Sequence, residues 1–146
     1  MECLGGNGYV EEAILARLYR EAPVNAIWEG SGNVICLDVL RAIVREPDTL
    51  PALFAEIALA RGADPRLDDG LRALEADLRN PADAELRGRD LVERMAIALQ
   101  ASLLLRVAPG AVADAFCASR LGDGARLFGA LPARTDFSTI LARALP

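Results

Sequence analysis

The chain has 146 residues, 53% hydrophobic and 25% charged, which suits one globular domain, or one with an appendage, and argues against disorder. Its net charge of −5 is a poor footprint for nucleic acid, and its 16 basic residues are all Arg, which excludes Schiff-base and phosphate-loop lysines. There is no histidine and only three scattered cysteines, Cys3, Cys36 and Cys117, so the usual zinc spacings and Ser-His-Asp or Cys-His catalysis are excluded, no metal is expected, and the thiols read as reduced and structural. No apolar run approaches the about 18 residues that cross a membrane, and Met1 to Gly6 lacks the parts of a signal peptide. A cytoplasmic protein without membrane contact is the expectation.

The elements read as all-α. Leu and Ala recur at helical spacing, and Val, Ile and Thr never fall into period-2 runs. Glu11 to Glu21 is a first helix with Ile14, Leu15, Leu18 and Tyr19 on one face, ended by Pro23. Gly30 to Arg45 is a second, with Val34, Leu37, Leu40, Arg41 and Val44 sharing a face, closed by Pro47. Pro47-Asp48-Thr49 is the best boundary, dividing a region 1–46 from a region 48–146. Leu50 to Arg61 is a third helix, stopped by Gly62. Asp64-Pro65 pairs an N-cap with proline at the first helical position, and Leu67, Leu71, Leu74 and Leu78 follow in one stripe. Asn80-Pro81, with Asp83 three residues after the cap, repeats the device and predicts the longest helix, running to about Ala108. It carries Leu91, Val92, Met95, Leu99, Leu103 and Leu104 and suits the centre of a bundle. Pro109-Gly110 interrupts, Ala111 to Leu121 resumes, and Gly122, Gly124, Gly129 and Pro132 mark a loop before Asp136 caps a last helix to Leu145. Region 48–146 is long enough for a helical bundle of its own, whereas the two helices of 1–46 need a partner to bury both apolar faces.

The stretch Ile27-Trp28-Glu29-Gly30-Ser31-Gly32-Asn33 holds the chemistry. Ser31 can cap the second helix through its hydroxyl, the glycines let a ligand approach the backbone, and a helix start offers unpaired N–H groups to an anion. Glu29, a carboxylate with little steric cover, can act there as a general base. On spacing alone, a first-turn acid favoured by the helix dipole is the plainer reading.

Leu4-Gly5-Gly6-Asn7-Gly8-Tyr9, then Arg17 to Arg20, then Pro23 to Asn33 resemble the C-terminal end of the acyl-CoA dehydrogenase family, which carries a Gly-Gly-x-Gly-aromatic turn, an Arg-bearing helix and an aromatic-Glu-Gly-Thr/Ser element in this order. The wording from Leu18 to Asn33 resembles more narrowly the AidB-like, alkylation-response branch. The likeness is sharp over residues 1 to 46; beyond them it rests on that branch having an extra helical C-terminal domain. It implies a bundle like the family's C-terminal one, closed by 1–46, with 48–146 as the extra domain.

The resemblance also implies roles. Glu29 stands at the family's catalytic glutamate, removing the proton α to an acyl-CoA thioester while hydride leaves the β carbon for FAD. Gly30 leaves room for substrate and flavin, and Trp28, where most of the family has Tyr, bears on substrate fit. Ser31 and Asn33 match contacts to FAD, and the turn of Gly5, Gly6 and Gly8 matches a part that touches the FAD of a neighbouring subunit; Glu2, where many members have Gln, would repel a pyrophosphate. Since nothing here supplies the family's β domain, the expectation is a C-terminal fragment of a longer flavoprotein, with FAD absent from this chain, no activity alone and an acyl-chain specificity set elsewhere.

Two other readings compete with a dehydrogenase fragment. The AidB-like branch is associated with duplex DNA, for which Arg41 and Arg89 are the first candidates, with Arg45, Arg87 and Arg94 behind them. Against DNA, region 48–146 has 12 Arg to 14 acids, and Arg87, Arg89 and Arg94 alternate with Glu85, Asp90 and Glu93 like a solvated face. The other is an assembly module, since Ile14, Leu18, Val34, Leu37, Leu40 and Val44 form an apolar face without cover. A homodimer or higher oligomer through 1–46 is predicted.

Overall fold

A computed structural model describes residues 1–80, 82–121 and 129–144. They form seven α-helices, several short 3-10 turns and, among the described residues, no strand. The helices are α1 (Ile14–Glu21), α2 (Gly32–Arg45), α3 (Thr49–Ile57), α4 (Pro65–Leu78), α5 (Gly88–Val107), α6 (Gly110–Arg120) and α7 (Phe137–Ala144).

α5 is the axis. Its 20 residues span about 30 Å, and α2, α3, α4 and α6 all pack on it. Ala98, Ala101 and Ser102 are buried along it, and such small side chains let neighbouring backbones come close. One apolar cluster gathers Ile57, Ala60, Leu67, Leu71, Ala98, Ala101 and Cys117. A second gathers Leu74, Leu91 and Met95, with Val39, Leu40, Ile43, Leu50 and Phe54 closing over it. Leu67, Leu71 and Leu74 come from the predicted stripe of α4.

Ion pairs tie the helices around this core. Arg66 bridges Asp64 and Asp114 at 2.6 and 2.7 Å, joining α4 to α6. Arg94 reaches Asp77 at 2.6 Å across α4 and α5, and Arg106 reaches Glu56 on α3 at 2.6 Å. Cys117 is fully buried under the Asp64 and Arg66 pair; burial pushes its thiol up to about 11.

Helix starts follow the local chemistry, with instructive departures. Asp64 caps α4, accepting from the Arg66 N–H at 2.8 Å, and Pro65 follows it. Asp136 caps α7, accepting from the Thr139 N–H at 3.0 Å; the predicted end at Leu145 lies outside the described residues, as do Gly122 and Gly124. Asn80 does not launch α5. Its side chain accepts from Ala82 at 3.0 Å, but Asp83 takes a positive φ of 54°, which no helix continues through, and the helix begins at Gly88. Arg87 braces the intervening turn by donating to the carbonyls of Asn80 and Ala82.

α1 begins at Ile14 rather than Glu11; Glu11 lies in the turn before it and pairs with Arg20 at 2.7 Å. α3 tightens into a 3-10 turn at Ala58–Ala60.

The face of α2 differs most from expectation. Val39, Leu40 and Ile43 pack inward, while Val34, Leu37 and Val44 of the predicted face are exposed, Val44 by 80%. The inward side chains meet the Leu74, Leu91 and Met95 cluster, and Gly88 of α5 lies beside Cys36 and Leu40 on the same side.

Candidate functional site

The segment from Pro23 to Asn33 is built by successive turns. Pro23 sits at the start of a 3-10 turn (Ala22–Ala26), which the Ile27 and Trp28 N–H groups extend by donating to the Val24 carbonyl at 3.0 Å. The Gly30 N–H donates to the Ile27 carbonyl at 3.2 Å, looping Trp28 and Glu29 outward. Gly30 has φ +116°, a region closed to side chains with a Cβ, so a glycine is required here by the backbone. Ser31 then turns extended, and its carbonyl accepts the first helical bond of α2 from Ile35 at 3.0 Å.

Trp28 is 68% exposed, and Glu29, Ser31 and Asn33 are exposed with it. The Glu29 carboxylate has no hydrogen-bond or ion-pair partner among the described residues. Ser31 occupies the N-cap position of α2, but its hydroxyl makes no cap bond, contrary to expectation. Its φ of −65° and ψ of 153° shape the helix entrance while the side chain stays in solvent.

Gly5, Gly6 and Gly8 lie in a separate 3-10 turn (Glu2–Gly8), kinked at Gly5, with Gly8 buried against the Met1 backbone. No substantial helix packing joins this turn to α2, so the two glycine-bearing segments stand as distinct surfaces. α1 packs chiefly on the Ala22–Ala26 turn. Arg17 pairs with Glu21 and Arg20 with Glu11, which accounts for both cations as exposed ion pairs.

The arginines suggested for DNA do not converge on one basic surface. Arg41 pairs with Asp38 at 2.7 Å, Arg94 with Asp77 and Asp90, and Arg87 with backbone carbonyls. Arg89 lies instead across the start of α2, its Nη1 3.4 Å from the Asn33 Oδ1. Sequence reasoning placed Arg89 on a solvated helix face and missed this contact. A groove of about 790 Å3 runs between α2 and the turn before α5, lined by Leu37, Leu40, Val44 and Leu86 with Arg41 and Glu85 among its walls. A smaller hollow of about 320 Å3 is lined by Tyr9, Val10, Tyr19 and the Arg20–Glu11 pair. Neither is lined by Glu29. Among the described residues there is no cluster of potential metal ligands, and no helix is long and apolar enough to cross a membrane.

Residues 1–44 match the family model described as the acyl-CoA dehydrogenase C-terminal domain. The chain is 43% identical over 117 residues to the putative acyl-CoA dehydrogenase AidB of Escherichia coli (strain K12), covering 80% of this chain and 21% of that protein. It is 32% identical over 107 residues to acyl-CoA dehydrogenase family member 11 of Caenorhabditis elegans, covering 66% of this chain and 17% of that protein. It thus spans about a fifth of the length of the curated relatives it matches.

Proposed function

We propose, from the premise that this chain resembles the C-terminal part of the AidB-like acyl-CoA dehydrogenases, that it serves as that part of an FAD-dependent enzyme, with Glu29 as its base. Residues 1–46 would supply the end of the dehydrogenase bundle and 48–146 the added helical domain, with α2 shared between them. The supporting observation is the outward loop of Trp28 and Glu29, fixed by Gly30 and left uncovered beside an exposed apolar surface.

The donor set at the start of α2 suits the phosphate and ribose oxygens of a dinucleotide: the Ser31 hydroxyl is not spent on a cap, and Asn33 carries two N–H donors. FAD, when bound, would supply the acceptor for the hydride that leaves the β carbon. Glu29 takes the α proton onto its carboxylate, leaving a double bond conjugated with the thioester. A base working near neutrality must be close to its proton and partly desolvated. Glu29 is exposed, so in this reading the cover comes from other parts of the enzyme. The isolated chain is then inactive and binds little FAD.

The exposed apolar side chains of this region, Ile14 at 63% and Ile27 at 63% among them, favour association of copies. Light scattering should give a mass above the monomer, reduced by Ile14→Asp; a monomer at micromolar concentration would remove the assembly part of the proposal. For catalysis the test is Glu29→Gln in the full-length flavoprotein. The flavin spectrum should stay and turnover should fall about 10²- to 10⁴-fold. Retained turnover would remove Glu29 from the mechanism, and stoichiometric flavin on the isolated chain would overturn its predicted emptiness.

A further inference from the structure

We propose that Arg89 is a positioning residue for the cofactor-facing side of α2, holding the Asn33 amide with its oxygen toward α5 and its N–H groups free for a ligand. The proposal rests on the reading above in one respect, that Asn33 faces FAD. Its geometric half stands on this chain alone.

Two glycines, Gly88 on α5 and Gly32 on α2, lie where these helices meet. Gly88 is buried, and a Cβ there would sit 3.3 Å from the Leu40 Cδ1 and 3.9 Å from the Cys36 Cβ. An alanine there would need the Leu40 side chain to give by a few tenths of an ångström. With α5 this close, the next side chain crosses to the first residue of α2, where a Cβ on Gly32 would run into the Arg89 guanidinium. The guanidinium therefore occupies the space that Gly32 leaves open, with Nη1 near the Asn33 Oδ1.

A guanidinium has only donors, so it must meet the amide oxygen of Asn33 and not its nitrogen. Turned the other way, the amide would set N–H groups against N–H groups. Asn33 thereby becomes a donor-only group on its free side, matched to the acceptor oxygens of phosphate and ribose. The fixed planar fork of Arg holds this orientation better than the flexible stem of Lys would. No carboxylate among the described residues forms an ion pair with Arg89, in contrast to Arg41, Arg66 and Arg94, so its donors are not drawn away.

The chain has five side-chain amides, on Asn7, Asn25, Asn33, Asn80 and Gln100, few enough to resolve by 15N NMR. Arg89→Met should shift the Asn33 pair while leaving those of Asn7 and Asn25, and the melting point, in place. An unmoved Asn33 pair would overturn the proposal. In the full-length flavoprotein, FAD titration should show Arg89→Met weakening binding about three- to tenfold, with Arg89→Lys between it and the wild type. The double variant with Asn33→Ala should bind no more weakly than Asn33→Ala alone, because Arg89 acts through Asn33. Additive losses, or a loss in Asn33→Ala with none in Arg89→Met, would overturn the positioning role. If Asn33→Ala leaves FAD affinity unchanged, it is the flavin contact of Asn33 that fails, and the NMR shift still decides the geometry.

Discussion

Residues 9–28 and residues 49–121 are both largely helical and both rich in apolar side chains, yet only the second gathers a fully buried set of large ones. In the second region Ile57, Leu67, Leu74 and Leu91 are each 1% exposed. In the first, Tyr9, Ile14, Ile27 and Trp28 are each more than 60% exposed, and Ala16 is its main buried side chain. The difference is one of cover and not of composition. α5 runs through the second region and gives every neighbouring helix a surface to pack on, whereas α1 has little beyond the turn that follows it. Hydrophobic periodicity shows which side of a helix is apolar; whether that side is covered depends on the elements packed beside it.

The sharpest way to break this contrast is to truncate one side chain on each side. Leu74→Ala should cost about 2 to 5 kcal/mol in urea unfolding, because it empties a well-packed site. Ile14→Ala, measured at concentrations where the chain is monomeric, should cost under about 0.5 kcal/mol. A large loss at Ile14 in the monomer would show that the first region is covered within one chain.

A smaller effect is expected where the second region uses charge. Asp64→Ala removes both a helix cap and the partner of Arg66, and should cost about 1 to 3 kcal/mol. The hydrogen bond from Arg66 holds the Asp64 carboxyl below the usual carboxylate range. The unfolded chain therefore takes up this proton first as pH falls, and the stabilisation present above about pH 4 is lost below it. Melting temperature should drop through that window in the wild type, and less steeply in Asp64→Asn. Equal slopes in the two proteins would rule out Asp64 as the source.

The smallest global effect belongs to the joint between the regions. Gly30→Ala forces a side chain into φ +116°, a local strain of about 1 to 3 kcal/mol. If the two regions open separately, hydrogen exchange should quicken around residues 24–31 while α4 and α5 keep their protection. Loss of protection in α5 as well would show that the regions unfold as one.

Much of this was legible in the residues. Asp64-Pro65 and Asp136 announced helix starts because a cap is a local event, settled within a few residues. Asn80-Pro81 looked the same, but the backbone of Asp83 outweighed the cap, and no spacing rule exposes a single positive φ. The rotation of α2 was misjudged because its pattern offers apolar residues on two sides, Val34, Leu37 and Val44 against Val39 and Ile43. The choice is made by the Leu74, Leu91 and Met95 cluster on α4 and α5, which is distant in sequence. The wording from Trp28 to Asn33 carried the candidate site, while the contact of Arg89 with Asn33, 56 residues away along the chain, has no local signature.

The seat of Cys117 turns the second region into its own clock. Its thiol is fully buried and stays protonated at neutral pH, whereas Cys3 is exposed and Cys36 partly so. A thiol-specific dye should mark Cys3 promptly and reach Cys117 only when α6 lifts from α4 and α5, because the reactive form is the thiolate and it forms on exposure. Counting labelled sulfurs over time would time the bundle's opening without adding a probe to it.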